Sequence, residues 1–301
     1  MGRELVTRRT MLRSAAATLG ALSLERVIAA PAINAKFSLA HLTILGCSPP
    51  QLVEIAGRVS YDYASLRMIP MRLPGEPDYD LARKPAMLRE TRAALAATGL
   101  KLHDIEVGRI ADGVDVADYR PAFETGAELG ARRVIGSVWA TDHAFILDSL
   151  ARMCDLAGKS GLSISLEFVT WSSVRNLQQA LELLRAVKKD NLGLLIDVLH
   201  FDRSHVSPAE LDSVPPSRFH FVHLCDAPKA RDFSSEALIH TGREERLYPG
   251  EGDIDIAGIL KHLPEIPYSL EIPNLERVKE LGYQEHARRC LEAAKRCCRL
   301  G

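Results

Sequence analysis

Four ionisable residues in the second half of the chain share one local setting, each closing or interrupting a short apolar run of the kind that forms a buried strand. Glu167 ends Ser163-Ile164-Ser165-Leu166-Glu167, Asp197 ends Leu194-Leu195-Ile196-Asp197, His223 ends Phe221-Val222-His223, and Glu271 sits in Ser269-Leu270-Glu271-Ile272. Side chains alternate across a strand. With Ile164, Leu166, Leu270 and Ile272 turned outward, Glu167 and Glu271 face inward; the same alternation turns Asp197 inward, and His200 follows just past its strand. Taken singly, a strand-end carboxylate can be a salt-bridge partner and a lone histidine a hydrogen-bonded core residue. Converging, three carboxylates and an imidazole would repel one another and lose hydration without a compensating cation. A divalent metal resolves that conflict. Three oxygen donors and one nitrogen suit Mn²⁺, Mg²⁺ or Co²⁺, zinc is compatible, and the absence of sulfur ligands disfavours soft metals.

The chemistry open to such a set follows from its parts. A substrate with a carbonyl beside a hydroxyl can chelate the metal through both oxygens, which stabilises the enediolate left when a proton is removed between them. One glutamate removes that proton and a second, on the other face, returns it, which is a 1,2-isomerisation or an epimerisation. The same enediolate can expel a β-hydroxyl or arise by loss of CO₂. Isomerase, dehydratase and decarboxylase therefore share this site.

The positioning elements are an alternation that begins at Lys36. Strands are expected at Phe37 to Leu45, Ala64 to Ile69, Leu102 to Val107, Arg133 to Val138, Leu162 to Val169, Leu192 to Leu199, His220 to Leu224 and Tyr268 to Ile272. Segments of helical period lie between them, including Pro50 to Val59, Lys84 to Thr98, Tyr119 to Leu129, His143 to Lys159, Val174 to Lys188 and Asp255 to His262, and Tyr283 to Arg299 forms a last helix. Gly99, Gly130 and Gly161 each stand where a helix should end. Eight units of roughly 33 residues match the size of a βα unit and close naturally as a single (β/α)₈ TIM barrel. The other α/β solution, a doubly wound sheet, would carry a glycine-rich turn after its first strand, and Gly46-Cys47-Ser48-Pro49-Pro50 is not one. In a barrel, active sites gather at the C-terminal ends of the strands. The longest irregular stretch runs from Asp226 to Asp253.

The order Glu, Asp-x-x-His, His, Glu on strands five to eight resembles the xylose isomerase-like barrel superfamily of sugar isomerases, epimerases and related lyases, over essentially residues 36–301. Tyr248-Pro249-Gly250-Glu251-Gly252-Asp253-Ile254-Asp255 is similar to the Pro-Gly-x-Gly loop of that family. The resemblance implies that Glu167, Asp197, His223 and Glu271 bind one divalent metal, that Glu167 and Glu271 also serve as acid and base, and that His200 polarises the substrate oxygen. It implies a small-molecule carbohydrate or keto-acid substrate and a homodimer or homotetramer. Two positions depart from the ketohexose epimerases of the family. Ser173 stands where they carry a second glutamate, and Lys229 where they carry an arginine, with Arg231 nearby; both count against a free ketohexose as substrate.

Further residues are assigned to the substrate side of the mouth: Arg67 after strand two, Glu106 and His103 in strand three, His41 in strand one, Trp139 ending strand four and Trp171 after Glu167. Either tryptophan can stack on a sugar face or simply pack. Lys229 joins them by its place in the family pattern. In the long seventh loop Arg246, and with less claim Arg243, can clamp a carboxylate or phosphate, the alternative being solvated surface charge.

The opening residues read differently. Thr7-Arg8-Arg9-Thr10-Met11-Leu12-Arg13 precedes a short Ala-rich run, Ser14 to Leu24, and small residues follow at Ala30-Pro31-Ala32 and Ala32-Ile33-Asn34-Ala35. Residues 1–35 thus look like a twin-arginine export signal, too short to span a bilayer, and imply a periplasmic or exported protein. Glu25-Arg26 is atypical of such a signal, and the alternative is a retained amphipathic helix in a cytoplasmic protein. The rest of the composition is that of a globular protein: 38 Lys+Arg against 39 Asp+Glu, a net charge of −1, and 47% hydrophobic residues. Near-neutral charge argues against nucleic acid or anionic lipid as partners. An apurinic-site endonuclease of the same superfamily would need extra ligands, for which His41, His103 and Glu106 are the available residues, together with a basic face. A sugar-binding protein would usually have two lobes and a hinge. Six scattered cysteines with no C-x-x-C pair argue against a disulfide framework or structural zinc site.

Overall fold

The structure, a computed structural model, describes residues 35–71 and 76–298; the proposed export segment, apart from its last residue Ala35, lies outside them. Eight parallel strands close into a barrel in chain order: β1 (Phe37–Leu39), β2 (Tyr63–Arg67), β3 (Lys101–Ile110), β4 (Arg133–Val138), β5 (Ser163–Glu167), β6 (Leu192–Asp197), β7 (Phe219–Leu224) and β8 (Tyr268–Leu270). Closure is made by β1 against β8, with Phe37 opposite Tyr268 and Leu39 opposite Leu270. Around it run α1 (Pro49–Val59), α2 (Pro85–Thr98), α3 (Arg120–Glu128), α4 (His143–Lys159), α5 (Leu177–Val187), α6 (Val198–Arg203), α7 (Ser235–Glu244), α8 (Ile256–Leu260) and α9 (Leu275–Cys297). None of the described helices is long and apolar enough to cross a membrane.

The starts and stops have local causes. Asp142, Asn176 and Asn274 each accept a hydrogen bond from a backbone N–H in the first turn of the helix they precede, satisfying a donor that the helix leaves open. Gly99, Gly130 and Gly161 turn the chain out of its helices with φ of 70°, 93° and 70°. Three differences from the expected elements matter. The first strand is only three residues long, because the chain turns into a 3₁₀ helix at His41–Ile44. The stretch expected to be irregular holds α7, which the sequence conceals because Gly242 is its only buried residue. The last helix begins at Leu275 and is interrupted at Gly282, where φ is 73°.

Burial explains why the strands read as apolar runs. Their outward side chains join the covering helices in one large core, while Ile135, Leu195 and Phe221 form a separate cluster inside the barrel. These three lie two residues before Ser137, Asp197 and His223, so alternation puts both sets on the inner face, the apolar one a step further from the mouth. A dry plug thus underlies the polar residues, each of its side chains contributing roughly 1.5–3 kcal/mol by burial.

Candidate active site

The second half of the barrel brings Glu167, Asp197, His223 and Glu271 together, all buried, with one donor atom from each within 4.8 Å of all the others. His223 Nδ1 lies 3.2 Å from Glu167 Oε1, 3.4 Å from Glu271 Oε2 and 3.7 Å from Asp197 Oδ2. Donors bonded at about 2.1 Å to one ion stand roughly 3–3.4 Å apart, so the spacing and the oxygen-rich donor set fit a single divalent metal. The buried His223 Nε2 has no hydrogen-bond partner among the described residues.

Arg246 also reaches this group. Its Nη1 lies 2.6 Å from Asp197 Oδ2 and its Nη2 2.9 Å from Glu271 Oε2, while Nε donates to Gly242 O at 2.9 Å. The three carboxylates are therefore unequal. Burial acts to raise Asp197, but Arg246, His200 and His223 hold it well below the usual carboxylate range. Burial is likewise overcome at Glu271, brought down to about 2 by His223 and Arg246. Glu167 has no arginine beside it, and burial pushes it up to about 7. Two carboxylates are held ionised and one can exchange a proton near neutrality, an arrangement suited to acid–base work.

Asp197 divides its two oxygens. Oδ1 accepts from the N–H groups of Leu199 and His200 at 2.8 and 3.1 Å, capping α6, and Oδ2 faces Arg246 and His223. The cap fixes the first turn of α6 and with it His200, whose Nδ1 is 3.3 Å from Thr170 Oγ1 and whose ring stands edge-on to Trp171 at 4.7 Å. Burial holds His200 down to about 4, so the imidazole is neutral.

The opposite wall comes from the first half. Arg67 Nη2 pairs with Glu106 Oε2 at 2.9 Å and Arg67 Nη1 with Glu76 Oε1 at 3.4 Å. Glu106 Oε1 is buried without a hydrogen-bond partner, and burial raises this carboxyl in spite of Arg67. Trp139 donates Nε1–H to Ser137 Oγ at 2.9 Å. Arg67, Glu76, Glu106, Trp139, Trp171 and Arg243 line one cavity of about 250 Å³ with His200, Arg246 and three of the four clustered residues, Glu167, His223 and Glu271.

Other expected residues lie elsewhere. Lys229 is exposed, bonded through its N–H to Asp253 Oδ2 at 2.9 Å, and does not line this cavity. The cause is Asp226, whose carboxylate accepts from the N–H groups of Ala227, Gly250, Gly252 and Ile254. It ties the Pro-Gly loop against the end of β7 and leaves Lys229 outside. Gly252 is required there, since a Cβ would come within 2.4 Å of Ala227 O and Asp226 Oδ1. The guanidinium at the cluster instead comes from Arg246, beyond α7, as a partner of the acidic residues rather than a free clamp. His41 accepts from the Arg67 N–H at 3.0 Å and bonds Cys47 O at 2.8 Å, so both ring nitrogens are engaged. His103 pairs with Asp104 at 2.6 Å and packs edge-on to Phe221 in the plug. Neither adds to the four-residue group, so the multi-metal set of an endonuclease is not assembled among the described residues. Glu76 was not legible in the sequence, because it reaches Arg67 through the connection after β2 and belongs to no strand pattern.

Residues 53–294 match the family described as xylose isomerase-like TIM barrel. The inosose isomerase of Bacillus subtilis strain 168 is 27% identical over 191 residues, 60% of this chain and 66% of that protein. The 3-dehydroshikimate dehydratase of Pseudomonas putida KT2440 is 30% identical over 176 residues, 55% of this chain and 27% of that longer protein. The chain thus spans somewhat less than two thirds of the isomerase it matches. Among solved structures, the IOLI protein with a bound zinc atom superposes with a TM-score of 0.73 at 23% identity, covering 87% of this chain and 98% of that one.

Proposed function

The chain belongs to the xylose isomerase-like TIM barrel family, and on that footing we propose that it is a divalent-metal-dependent isomerase or epimerase of a polyhydroxylated ketone. The observation that carries this reading is the convergence of Glu167, Asp197, His223 and Glu271 on one point, with the two glutamates flanking His223 and Arg246 paired with Glu271 but not with Glu167. Glu167, Asp197, His223 and Glu271 would hold the metal, which supplies Lewis-acid stabilisation of negative charge on the substrate oxygens.

The chain's own residues do the rest. Glu167, which has no arginine beside it, takes the proton from the carbon beside the carbonyl. Arg246 keeps Glu271 oriented and ionised, so the proton taken by Glu167 is returned by Glu167 to the neighbouring carbon in an isomerisation, and Glu271 serves as the base for a substrate whose proton lies on its side. Neutral His200, steadied by Trp171 and Thr170, donates a hydrogen bond to the developing oxyanion. Arg67 and Glu106 contact the remaining hydroxyls, with Glu106 Oε1 as acceptor. Trp139 and Trp171 supply apolar walls and limit water.

The test is deuterium incorporation beside the carbonyl, followed by NMR in D₂O across keto-sugars and cyclic polyhydroxy ketones with metal-loaded protein. Exchange that vanishes in Glu167→Gln supports the assignment; undiminished exchange overturns it. The dehydratase relative favours a second reading, expulsion of a β-hydroxyl from the same enediolate. It would register in the same samples as a conjugated product absorbing in the ultraviolet. The twin-arginine segment supports export as part of the proposal, checked by cell fractionation of the wild type and of an Arg8→Lys/Arg9→Lys variant.

A further inference from the structure

We propose that Arg243 anchors an anion subsite in the wall of this cavity, so that the substrate is a hydroxylated ketone bearing a carboxylate rather than a neutral polyol. The inference deepens the function proposed above and rests on it for the location of the reacting ketone.

Three arginines line the cavity, and two are committed. Arg246 is held by Asp197 and Glu271, and Arg67 by Glu106 and Glu76. Arg109, close by, donates to Met71 O at 3.0 Å. The Arg243 side chain makes no hydrogen bond or ion pair among the described residues, although it is half-buried and lines the same space. Burial, together with the nearby charges of Arg67 and Arg109, pushes its guanidinium below the usual range, against the opposing effect of Glu76 and Glu244. A guanidinium drawn from water without partners is unfavourable, and an anion that accepts from its planar fork relieves the cost.

The backbone that carries this side chain is held in place. Arg243 follows Gly242, which packs so closely on Trp171 that a Cβ would lie 2.3 Å from the indole ring, and Gly242 O accepts the Arg246 Nε–H. The end of α7 is thereby clamped between the tryptophan beside His200 and the arginine beside Asp197. Arg243 belongs to that clamped turn, not to a free surface loop.

Charge selects the anion. Arg67 is paired with Glu106 and Glu76 and Arg246 with Asp197 and Glu271, whereas Arg243 feels Glu76 and Glu244 without an ion pair to either, so its guanidinium is the one in the wall left for a ligand. One guanidinium matches a monovalent, planar carboxylate, whereas a phosphate dianion would call on several free cations. A cavity of about 250 Å³ suits a compact acid.

The experiment measures binding to the metal-loaded wild type, Arg243→Gln and Arg243→Lys by calorimetry, without relying on turnover. The probes are cyclic and linear hydroxy-keto acids, their methyl esters and polyol phosphate esters. The wild type should bind acids roughly 10- to 100-fold more tightly than esters, the worth of a charge-assisted hydrogen-bonded pair. Arg243→Gln should bring that ratio close to one while leaving ester affinity unchanged, and Arg243→Lys should restore part of it. An acid-to-ester ratio unchanged in Arg243→Gln, or phosphate esters preferred over acids, overturns the proposal. Acid-selective binding that depends on Arg243, without deuterium exchange in any ketone, would uphold the subsite and refute the catalytic reading alone.

Discussion

In the second half of the barrel, β5 to β8 deliver three carboxylates and an imidazole to one point, and among the described residues Arg246 is the arginine that pairs with them. In the first half, the mouth residues settle their own accounts: Arg67 lies between Glu106 and Glu76. One half is built around a charge deficit that an external cation would fill; the other pairs its arginine with its glutamates and offers hydrogen-bonding groups, among them the unpartnered Glu106 Oε1. The difference suggests a division of labour in which the second half performs proton transfer and the first half recognises the substrate.

The division is most directly broken by exchanging glutamates across it. Glu167→Gln should slow exchange of the substrate's α-proton by at least ~100-fold, the usual size of a general-base contribution, as followed by NMR in D₂O. Glu106→Gln should leave the exchange step within a few-fold at saturating substrate; an equal loss in both variants would abolish the distinction.

Metal content sharpens the comparison. His223→Ala and Asp197→Ala should lose the bound ion in elemental analysis, together with the thermal stabilisation that added metal confers, about 2.7 kcal/mol at a hundredfold excess over Kd. Arg67→Ala should retain both. For stability without metal, Arg246→Met should cost about 3–5 kcal/mol by leaving Asp197 and Glu271 buried without their partner, read from urea unfolding. Arg67→Ala and Glu106→Gln should instead raise KM roughly 10- to 100-fold, as expected for hydrogen bonds to substrate.

Acid sensitivity should be the feature the two halves share. Burial holds His41, in the first half, and His220, in the second, down to about 4. Between that value and the ordinary imidazole pKa of about 6.5, the unfolded chain binds a proton that the folded chain does not. Stability is therefore complete above about pH 6.5 and falls as the pH drops toward 4, by up to about 1.4 kcal/mol per pH unit for each histidine. Replacing either with Gln should flatten the pH dependence of urea unfolding by that slope.

The ease of reading the sequence differed between the halves for a physical reason. The inward direction of Glu167, Asp197, His223 and Glu271 follows from alternation within their own strands, and β4 runs from Arg133 to Val138 as its composition implies. Glycine at helix ends was equally local. The pairing of Arg67 with Glu76, by contrast, forms through a connection with no periodicity, and α7 is a helix whose only buried residue is Gly242. Lys229 and Arg246 changed places for the same reason: spacing along a loop does not determine where the loop goes.

Alone, the sequence determined the eightfold alternation and which acidic and histidine side chains must face the barrel mouth, because each depends on backbone geometry over a few residues; the order of those residues along the chain carried the resemblance to the family. The tertiary structure decided which charges are compensated. Arg246 meets Asp197 and Glu271 across separations of 49 and 25 residues, Asp226 gathers the Pro-Gly loop, and Trp171 fixes Gly242 and so places Arg243. Those are contacts between distant segments, set by how the loops pack once the barrel has closed, and they distinguish a guanidinium already occupied from one open to a ligand.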